Sequence, residues 1–447
     1  MNDVDVVVVG AGVTGLTAAV RLREAGLKVA VLEARDRVGG RLLTETVDGV
    51  RLEIGGQWVS PDQTALLGMI GELGLTTYPR YRSGDSIYIG RDGVRKTFQG
   101  DSFPVPPDTA AEIKRVAAEL DRLASRMDPL VPWEHPDAAE LDQMSFAAWL
   151  AGQTGDVEAR DNIGLYVGPA MLTKPAHSFS ALSAVLMAAS AGGFAHLLDA
   201  DFILDRRIAG GLQEVPLRLA ARLEGLVHLS TPVGEIAWDG PSAVVGDYRA
   251  RHVVLAVPPT LVNRIRFAPA LPPVQAQMRQ HQSFGLVIKL HITYETPFWR
   301  ADGLSGTAFS PYALVHEAYD NSNEDVAGDD RGILVGFVSD VRADALLGLD
   351  PGARRAKVLE SLAAYYGPAA LEPVAYYESP WQADEWTAGA FGTSFDIGSL
   401  TRYGRHLRTP VGPLSFVSSD VAGLGFQHVD GAIRMGEAAA AAIIEQG

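Results

Sequence analysis

The stretch VDVVVVGAGVTGLTAAVRLREAGLKVAVLEARDRVGGR, from Val4 to Arg41, decides the fold of this chain. Its apolar, β-branched run has the length of a buried parallel strand, and Gly10, Gly12 and Gly15 follow where a strand turns into a helix. Gly10 allows a tight turn, Gly12 lets the backbone approach a pyrophosphate, and Gly15 lets helix and strand pack closely. The stretch predicts a dinucleotide-binding βαβ unit with phosphates at the helix N-terminus.

A second predicted strand, from Lys28 to Leu32, ends at the acidic residue Glu33. A carboxylate at this place accepts hydrogen bonds from a ribose hydroxyl and repels a 2′-phosphate, so NADP is disfavoured. The segment that follows, Arg35 to Arg41, adds a further glycine turn flanked by arginines. Because an arginine offers a planar fork of donors, this turn suits a pyrophosphate and a flavin edge. The segment also resembles the second glycine signature of FAD-dependent oxidases, and this resemblance favours FAD over NAD.

Composition sets the class of protein. The chain has 447 residues, of which 47% are hydrophobic and 21% charged, as in ordinary globular proteins with two domains. It has no cysteine, which excludes disulfides, thiolate metal sites and a flavin attached through sulfur. We therefore expect a non-covalently bound flavin and no metal.

No signal peptide precedes the first strand and no apolar run is long enough for a membrane span, so we expect a cytoplasmic protein without membrane contact.

The charge balance points away from nucleic acid. Lys and Arg number 38 against 54 Asp and Glu, a net charge of −16. Nucleic-acid binding needs a basic surface, whereas an acidic one attracts small cations. The same charge also keeps a protein soluble, so it only supports a cationic substrate.

The remaining chain alternates between α/β segments and segments of other character. Asp108 to Thr154 has apolar residues at helical spacing, with Ser145 as a predicted N-cap. The run FGLVIKLHITY, from Phe284 to Tyr294, is strand-like, and Gly332 to Val338 is a further strand candidate. From Phe416 onward the pattern is typical of another strand and helix that contact the cofactor. The order predicts domains built from non-adjacent segments.

A series of motifs along the chain supports a family resemblance. They are GAGVTG, EARDRVGGR, EIGGQWVSP at Glu53 to Pro61, TPVGEI at Thr231 to Ile236, VIKL at Val287 to Leu290, PFWR at Pro297 to Arg300 and DGAIRMGEAA at Asp430 to Ala439. Their order is similar to that of the flavin-dependent amine oxidases over nearly the whole chain. Longer stretches, among them PWEHPDAAELD and SSDVAGLGFQHVDGA, resemble the members that oxidise short diamines.

The resemblance implies an α/β fold of two domains: a Rossmann-like FAD-binding domain interleaved with a substrate domain made of a mixed sheet plus helices. We expect the FAD-binding domain at 1–78, 205–284 and 385–447, and the substrate-binding domain at 79–204 and 285–384. The cofactor-binding residues that the motifs imply are Gly10, Gly12, Gly15, Glu33, Ala34, Arg35, Gly40, Arg41, Gly56, Gln57, Trp58, Val233, Trp386, Ala390, Asp420, His428 and Val429.

Three residues are the catalytic candidates. Lys289 lies in the apolar run VIKL, where a lysine either points to solvent or is buried at a cost. The resemblance implies that it reaches flavin N5 through a water and promotes reoxidation by O2. Phe391 and His428 align with the two aromatic residues that flank the amine in this family, where tyrosines often stand. Ala390 aligns with the place at which some relatives carry a flavin-linked cysteine.

Glu317, in ALVHEAYDN, is the substrate-binding candidate. By resemblance it binds the distal ammonium of a diamine, although Asp320, Glu324 and Asp325 lie close by in sequence and remain alternatives. The implied reaction converts putrescine to 4-aminobutanal, ammonia and hydrogen peroxide, with O2 as acceptor. Relatives are often dimers, so a homodimer is possible.

Two alternatives stay open. One is a flavin oxidase of a polyamine, an aromatic monoamine or an amino acid, the last of which needs an arginine to bind a carboxylate. The other is a non-catalytic flavoprotein.

Overall fold

A computed structural model describes residues 1–100 and 102–446 of the chain. It contains twenty-two strands. In chain order they are β1 Asn2–Val9, β2 Val29–Leu32, β3 Thr44–Val47, β4 Val50–Glu53, β5 Trp58–Val59, β6 Thr77–Pro79, β7 Asp85–Ile89, β8 Arg95–Phe98, β9 Arg206–Ile208, β10 Val227–His228, β11 Glu235–Asp239, β12 Ser242–Val245, β13 Tyr248–Leu255, β14 Arg266–Ala268, β15 Gln282–Gly285, β16 Val287–Tyr294, β17 Leu304–Phe309, β18 Glu317–Asp320, β19 Gly332–Ser339, β20 Ala375–Glu378, β21 Ala390–Phe395 and β22 Leu414–Phe416.

Seventeen α-helices connect these strands within the described residues. They are α1 Val13–Glu24, α2 Thr64–Glu72, α3 Pro107–Ala124, α4 Ala138–Gln143, α5 Phe146–Gln153, α6 Val157–Val167, α7 Ala181–Ser190, α8 Phe194–Leu198, α9 Ala200–Ile203, α10 Glu214–Ala221, α11 Pro259–Val262, α12 Pro273–Gln280, α13 Phe298–Ala301, α14 Asp340–Leu347, α15 Pro351–Tyr366, α16 Ser399–Tyr403 and α17 Val429–Ile444. A short π-helix, Gly168–Leu172, follows α6.

The first large sheet has eight strands in the order β10-β2-β1-β13-β12-β11-β14, and β22 also pairs with β13. Strands β10, β2, β1 and β13 run parallel, with Val6–Val9 paired to Val29–Leu32 on one side and to His252–Leu255 on the other. Helices α1 and α17 pack against each other. Because helices cover a parallel sheet, its central strand is apolar on both faces, which explains the valine run of β1.

The second large sheet has seven strands in the order β20-β16-β19-β18-β17-β7-β8 and is mostly antiparallel. Its strand β16 pairs with β20 and β19, and every residue of β16 is buried. Lys289 therefore lies in the interior, with 4% of its surface exposed. The alternative in which this lysine points to solvent is thereby excluded.

The strand-like run from Phe284 to Tyr294 is confirmed as strand, but it is divided at Leu286 into β15 and β16. The chain leaves the two-stranded β15-β21 sheet after Gly285 and enters the second large sheet at Val287. A Cβ on Gly285 would lie 2.0 Å from Thr173 Oγ1, so the backbone bends where it passes this neighbour. Periodicity could not reveal the break, because the apolar residues Phe284, Leu286 and Val287 continue across it.

Most other local predictions are confirmed. The glycine turn joins β1 to α1, β2 ends before Glu33, and β19 spans the predicted segment. The Ser145 hydroxyl accepts a hydrogen bond from Ala148 N as the N-cap of α5.

In the part of the chain that the structure describes, no helix has both the length and the apolar character needed to cross a membrane. The same part holds no group of three or more His, Asp or Glu side chains placed to bind a metal.

Candidate active site

A long cavity of about 350 Å³ lies between the two large sheets, a size typical of small-molecule sites. Val9, Leu32 and Ala256, at the carboxyl ends of parallel strands, line one end, which we call the nucleotide end. Residues of the second large sheet, including Glu317 and Phe337, line the other, which we call the amine end. Ligands of parallel α/β sheets bind at the carboxyl ends of strands, so the nucleotide end has the expected location.

The glycines of the first turn play different physical roles. Gly10 has a φ of +101°, and a Cβ on Gly15 would lie 2.0 Å from Gly10 O, so close packing of α1 on β1 requires glycine there. A Cβ on Gly12 would meet nothing within 4 Å, because the cavity opens at this residue. Val13 and Thr14 begin α1 and line the same space, where the first N–H groups of a helix have no partner inside the helix. The arrangement suits a phosphate.

Two charged side chains connect the segments around the nucleotide end through hydrogen bonds and an ion pair. The Glu33 carboxylate accepts hydrogen bonds from Ala11 N at 2.6 Å and Arg35 N at 2.9 Å, and it therefore joins the two loops that follow β1 and β2. The Arg41 guanidinium donates to Phe391 O at 2.8 Å and pairs with Asp420 at 2.6 Å. This second pair ties the glycine-rich segment to β21 and to the segment before α17.

The structure brings most of the predicted cofactor residues to one cavity. Gly15 and Asp420 do not line it, since Gly15 packs α1 on β1 and Asp420 lies behind Arg41. The predicted residues that line the cavity are Gly10, Gly12, Glu33, Ala34, Arg35, Gly40, Arg41, Gly56, Gln57, Trp58, Val233, Trp386, Ala390, His428 and Val429.

Lys289 is buried, with 4% of its surface exposed, and lines the middle of the cavity. Its Nζ donates to Glu53 O and Gly55 O at 2.7 Å and to Gln57 Oε1 at 2.5 Å. Burial lowers the pKa of this lysine to about 7. The three acceptors match the three N–H groups of an ammonium, so they oppose the effect of burial. Lys289 therefore changes charge near neutral pH.

The Glu317 carboxylate lies at the amine end, and only 7% of the residue is exposed. Burial raises its pKa to about 7, although a hydrogen bond from Tyr319 partly offsets this. Among the described residues, no lysine or arginine nitrogen lies within 4.0 Å of it, and His316 Nδ1 lies at 3.9 Å. Burial lowers the pKa of His316 to about 3, so this histidine is neutral. The carboxylate has space beside it for a cation.

The neighbouring carboxylates differ from Glu317. Asp320 and Glu324 pair with Arg300 at 2.8 Å and 2.6 Å, and Asp325 pairs with Arg51. None of these three carboxylates lines the cavity. Glu317 is thus the carboxylate of this group that a ligand in the cavity can reach.

Phe391 and His428 both line the cavity. The Phe391 ring contacts Phe337 edge-on, with ring centroids 5.9 Å apart. His428 Nδ1 donates to Phe426 O at 2.8 Å, which leaves Nε2 as an acceptor when the ring is neutral. A neutral His428 is thus able to accept a hydrogen bond from an amine.

Sequence reasoning missed several residues of the amine end. Tyr319 was detectable, since it stands two residues after Glu317 on one strand and must share its face. Others come from helices, loops and the strand β19, where no local signature marks them as site residues, and packing alone brings them together. They are Tyr166, Ala170, Met171, Ile203, Leu204 and Phe337.

The family model described as "Flavin containing amine oxidoreductase" matches residues 13–444, and the chain belongs to this family. Its cofactor is FAD. The chain is 54% identical to putrescine oxidase of Kocuria rosea, over 99% of this chain and 95% of that protein. A solved structure of putrescine oxidase bound to putrescine is 57% identical and superposes with a TM-score of 0.97, covering 99% of both chains. Human amine oxidase B is 33% identical over 99% of this chain and 86% of that protein.

The cavity fits this cofactor. Open space beside Gly12, the unpaired start of α1 and the arginines Arg35 and Arg41 suit the pyrophosphate, and Glu33 suits a ribose. Ala390 lines the cavity and has no atom able to form a thioether. The described residues contain no cysteine, so a cysteinyl bond to the flavin is excluded.

Proposed function

We propose that this protein is an oxidase of short aliphatic diamines such as putrescine, and that Glu317 binds the distal ammonium. The observation that carries the proposal is a buried carboxylate that faces the cavity without a lysine or arginine beside it, among the described residues. The curated relative from Kocuria rosea, named putrescine oxidase, supports the same substrate. A buried charge needs a partner, and a diamine supplies one at its far end.

The reaction consumes the diamine, O2 and water, and yields 4-aminobutanal, ammonia and hydrogen peroxide. Bound FAD supplies the acceptor for the hydride equivalent that leaves the amine carbon. Phe391 and His428 flank the reacting amine, and His428 orients it through Nε2. Tyr166, Met171 and Leu204 exclude water from the amine end. The chain thus binds the substrate at two places and orients it, which lowers the entropic part of the barrier.

Lys289 lines the cavity between the two ends, and we propose that its ammonium favours the reduction of O2 through its positive charge. The pKa of about 7 makes this contribution greatest below neutral pH.

Among the residues that the structure describes, no arginine lines the amine end of the cavity, where it could bind the carboxylate of an amino acid. The arginines that line the cavity are Arg35, Arg41 and Arg264, and all three belong to segments around the first large sheet. This distribution favours an amine over an amino acid as substrate.

The test measures peroxide release by the FAD-loaded protein with putrescine, cadaverine, spermidine, tyramine, butylamine and amino acids. We expect a maximum with short diamines. Replacing Glu317 by Gln removes the charge and should lower kcat/KM for putrescine by a factor of about 30 or more, since losing a buried charge partner costs roughly 2–5 kcal/mol. Turnover of butylamine should stay within about twofold. Unchanged putrescine kinetics would eliminate the assignment.

Glu324→Gln is the matched control. Its carboxylate pairs with Arg300 outside the cavity, so its loss should leave the preference for diamines intact. A loss of diamine preference in both variants would instead indicate a general effect of the acidic loop.

We propose that residues 1–78, 205–284 and 385–447 form the FAD-binding domain, and that 79–204 and 285–384 form the substrate-binding domain. All strands of the first large sheet come from the former set and all strands of the second from the latter, which supports the division. The family resemblance extends the proposal to a cytoplasmic homodimer with O2 as electron acceptor. Light scattering and an oxygen electrode test the last two points.

A further inference from the structure

Tyr319 forms a pair with Glu317. The two residues are at alternate positions of β18, so their side chains lie on one face of the sheet, and both line the cavity. The Tyr319 hydroxyl donates a hydrogen bond to Glu317 Oε2 at 2.9 Å. Burial raises the pKa of Tyr319 well above its ordinary value, so the hydroxyl keeps its proton and remains a donor.

The Tyr319 ring is held from two sides. Trp58 meets it edge-on with ring centroids 5.7 Å apart, and the Arg80 guanidinium lies 5.4 Å from the ring centroid. Only 4% of Tyr319 is exposed. The hydroxyl therefore has a fixed position, and it fixes the orientation of the carboxylate in turn.

The two oxygens of the Glu317 carboxylate have different neighbours. Oε2 accepts from Tyr319, while Oε1 is the oxygen nearer to neutral His316, 3.9 Å from its Nδ1. Because the phenolic proton is committed to Oε2, the lone pairs of the Tyr319 oxygen remain available as acceptors. An ammonium has three N–H donors, so one acceptor does not satisfy it once water is removed.

We propose that Tyr319 is a positioning residue that sets the preference for diamines, because it orients Glu317 and accepts a second hydrogen bond from the distal ammonium. The inference rests on the proposed function, since it requires that the distal ammonium bind at Glu317. It adds a neutral group, the Tyr319 hydroxyl, to the Glu317 site that selects diamines. A monoamine lacks the second ammonium and gains nothing from Tyr319.

The experiment compares Tyr319→Phe with the unmodified holoenzyme on putrescine and butylamine. Phenylalanine keeps the ring and its contact with Trp58 but removes the hydroxyl. We expect KM for putrescine to rise about tenfold, kcat to stay within about twofold, and both constants for butylamine to stay unchanged. The flavin spectrum and the melting temperature should match those of the unmodified enzyme.

Tyr366→Phe is the control for loss of a buried hydroxyl. Tyr366 donates to Gly306 O at 2.7 Å and does not line the cavity, so its loss should not separate the two amines. The double variant Glu317→Gln, Tyr319→Phe should lose no more diamine selectivity than Glu317→Gln alone, because both residues serve one ammonium.

The outcomes separate the two proposals. A diamine-selective loss in Glu317→Gln with none in Tyr319→Phe overturns the role of Tyr319 and leaves the proposed function intact. Equal losses for putrescine and butylamine in Tyr319→Phe also overturn it, because they indicate a structural role. If neither variant separates the amines, both the proposed function and this inference are wrong.

Discussion

The two ends of the cavity are built in different ways. The nucleotide end consists largely of backbone and short loops, with Gly10, Gly12, Glu33 and Arg41 close together in sequence. The amine end takes its side chains from β18, β21, the start of α17, the π-helix and α9, which lie far apart in the chain. Local spacing in the sequence can therefore predict the nucleotide end, whereas only tertiary packing assembles the amine end.

The ends also differ in how their charges are compensated. At the nucleotide end Glu33 accepts two backbone hydrogen bonds and Arg41 pairs with Asp420. At the amine end Glu317 accepts one from Tyr319 and has no lysine or arginine within 4.0 Å among the described residues. The charges of Glu33 and Arg41 are thus compensated within the protein before a ligand binds, whereas the charge of Glu317 lacks a cation. Preorganised backbone groups at the nucleotide end therefore provide affinity for the cofactor, whereas the uncompensated charge of Glu317 at the amine end provides selectivity for the substrate.

The largest expected effect tests the glycines of the nucleotide end. Gly15→Ala places a Cβ against Gly10 O, which is backbone and cannot move aside. We expect it to destabilise the cofactor-free protein by about 3 kcal/mol or more. Gly12→Ala meets no protein atom, so the cofactor-free protein should keep its stability while its affinity for FAD falls about tenfold or more. Denaturant unfolding and FAD titration measure the two quantities.

Gly71→Ala is a suitable control, because its new methyl group also meets no atom within 4 Å but lies away from the cavity. It should change neither quantity by much. If Gly12→Ala and Gly15→Ala behaved alike in both assays, the distinction between packing and cofactor approach would be lost.

A smaller effect is expected where the two ends meet. Lys289→Met removes the buried cation, and we expect the reaction of the reduced enzyme with O2 to slow by about 10²-fold, the typical effect of removing one preorganised electrostatic group. The pKa of Lys289 is lowered to about 7, and the ammonium is the form present below that value. The rate for the unmodified enzyme should therefore fall as pH rises through about 7, and the variant should lack this step. Stopped-flow absorbance follows both.

Lys174→Met is the matched control for this measurement. Lys174 is also buried, with a pKa lowered to about 8, but it donates to Ser394 O and does not line the cavity. Its loss should leave the pH step in place. A step that survived in Lys289→Met would assign it to another group.

The smallest effect is expected from Phe391→Tyr. The substitution keeps the aromatic face at the amine end and adds a hydroxyl, so kcat/KM for putrescine should change by no more than about threefold. Phe391→Leu removes the face and should cost more. A large change in Phe391→Tyr alone would mean that the hydroxyl, and not the ring, governs this position.

The sequence predicts the two ends unequally. The order of β1, the glycine turn, α1 and β2 follows from local spacing, and so does the N-cap at Ser145. The sequence could not separate Glu317 from the carboxylates around it, because their difference lies in which arginine each one meets. It also missed the break at Gly285, which depends on Thr173 from a distant segment.

Helix α17 determines when, during synthesis of the chain, the cofactor cavity becomes complete. It packs on α1, where Gly436 lies against Thr14, and it begins at Val429, which lines the cavity beside His428. During translation the glycine turn leaves the ribosome long before the segment that closes its cavity. The nucleotide site therefore stays incomplete until α17 has been made, so the cavity cannot close around a cofactor before that point.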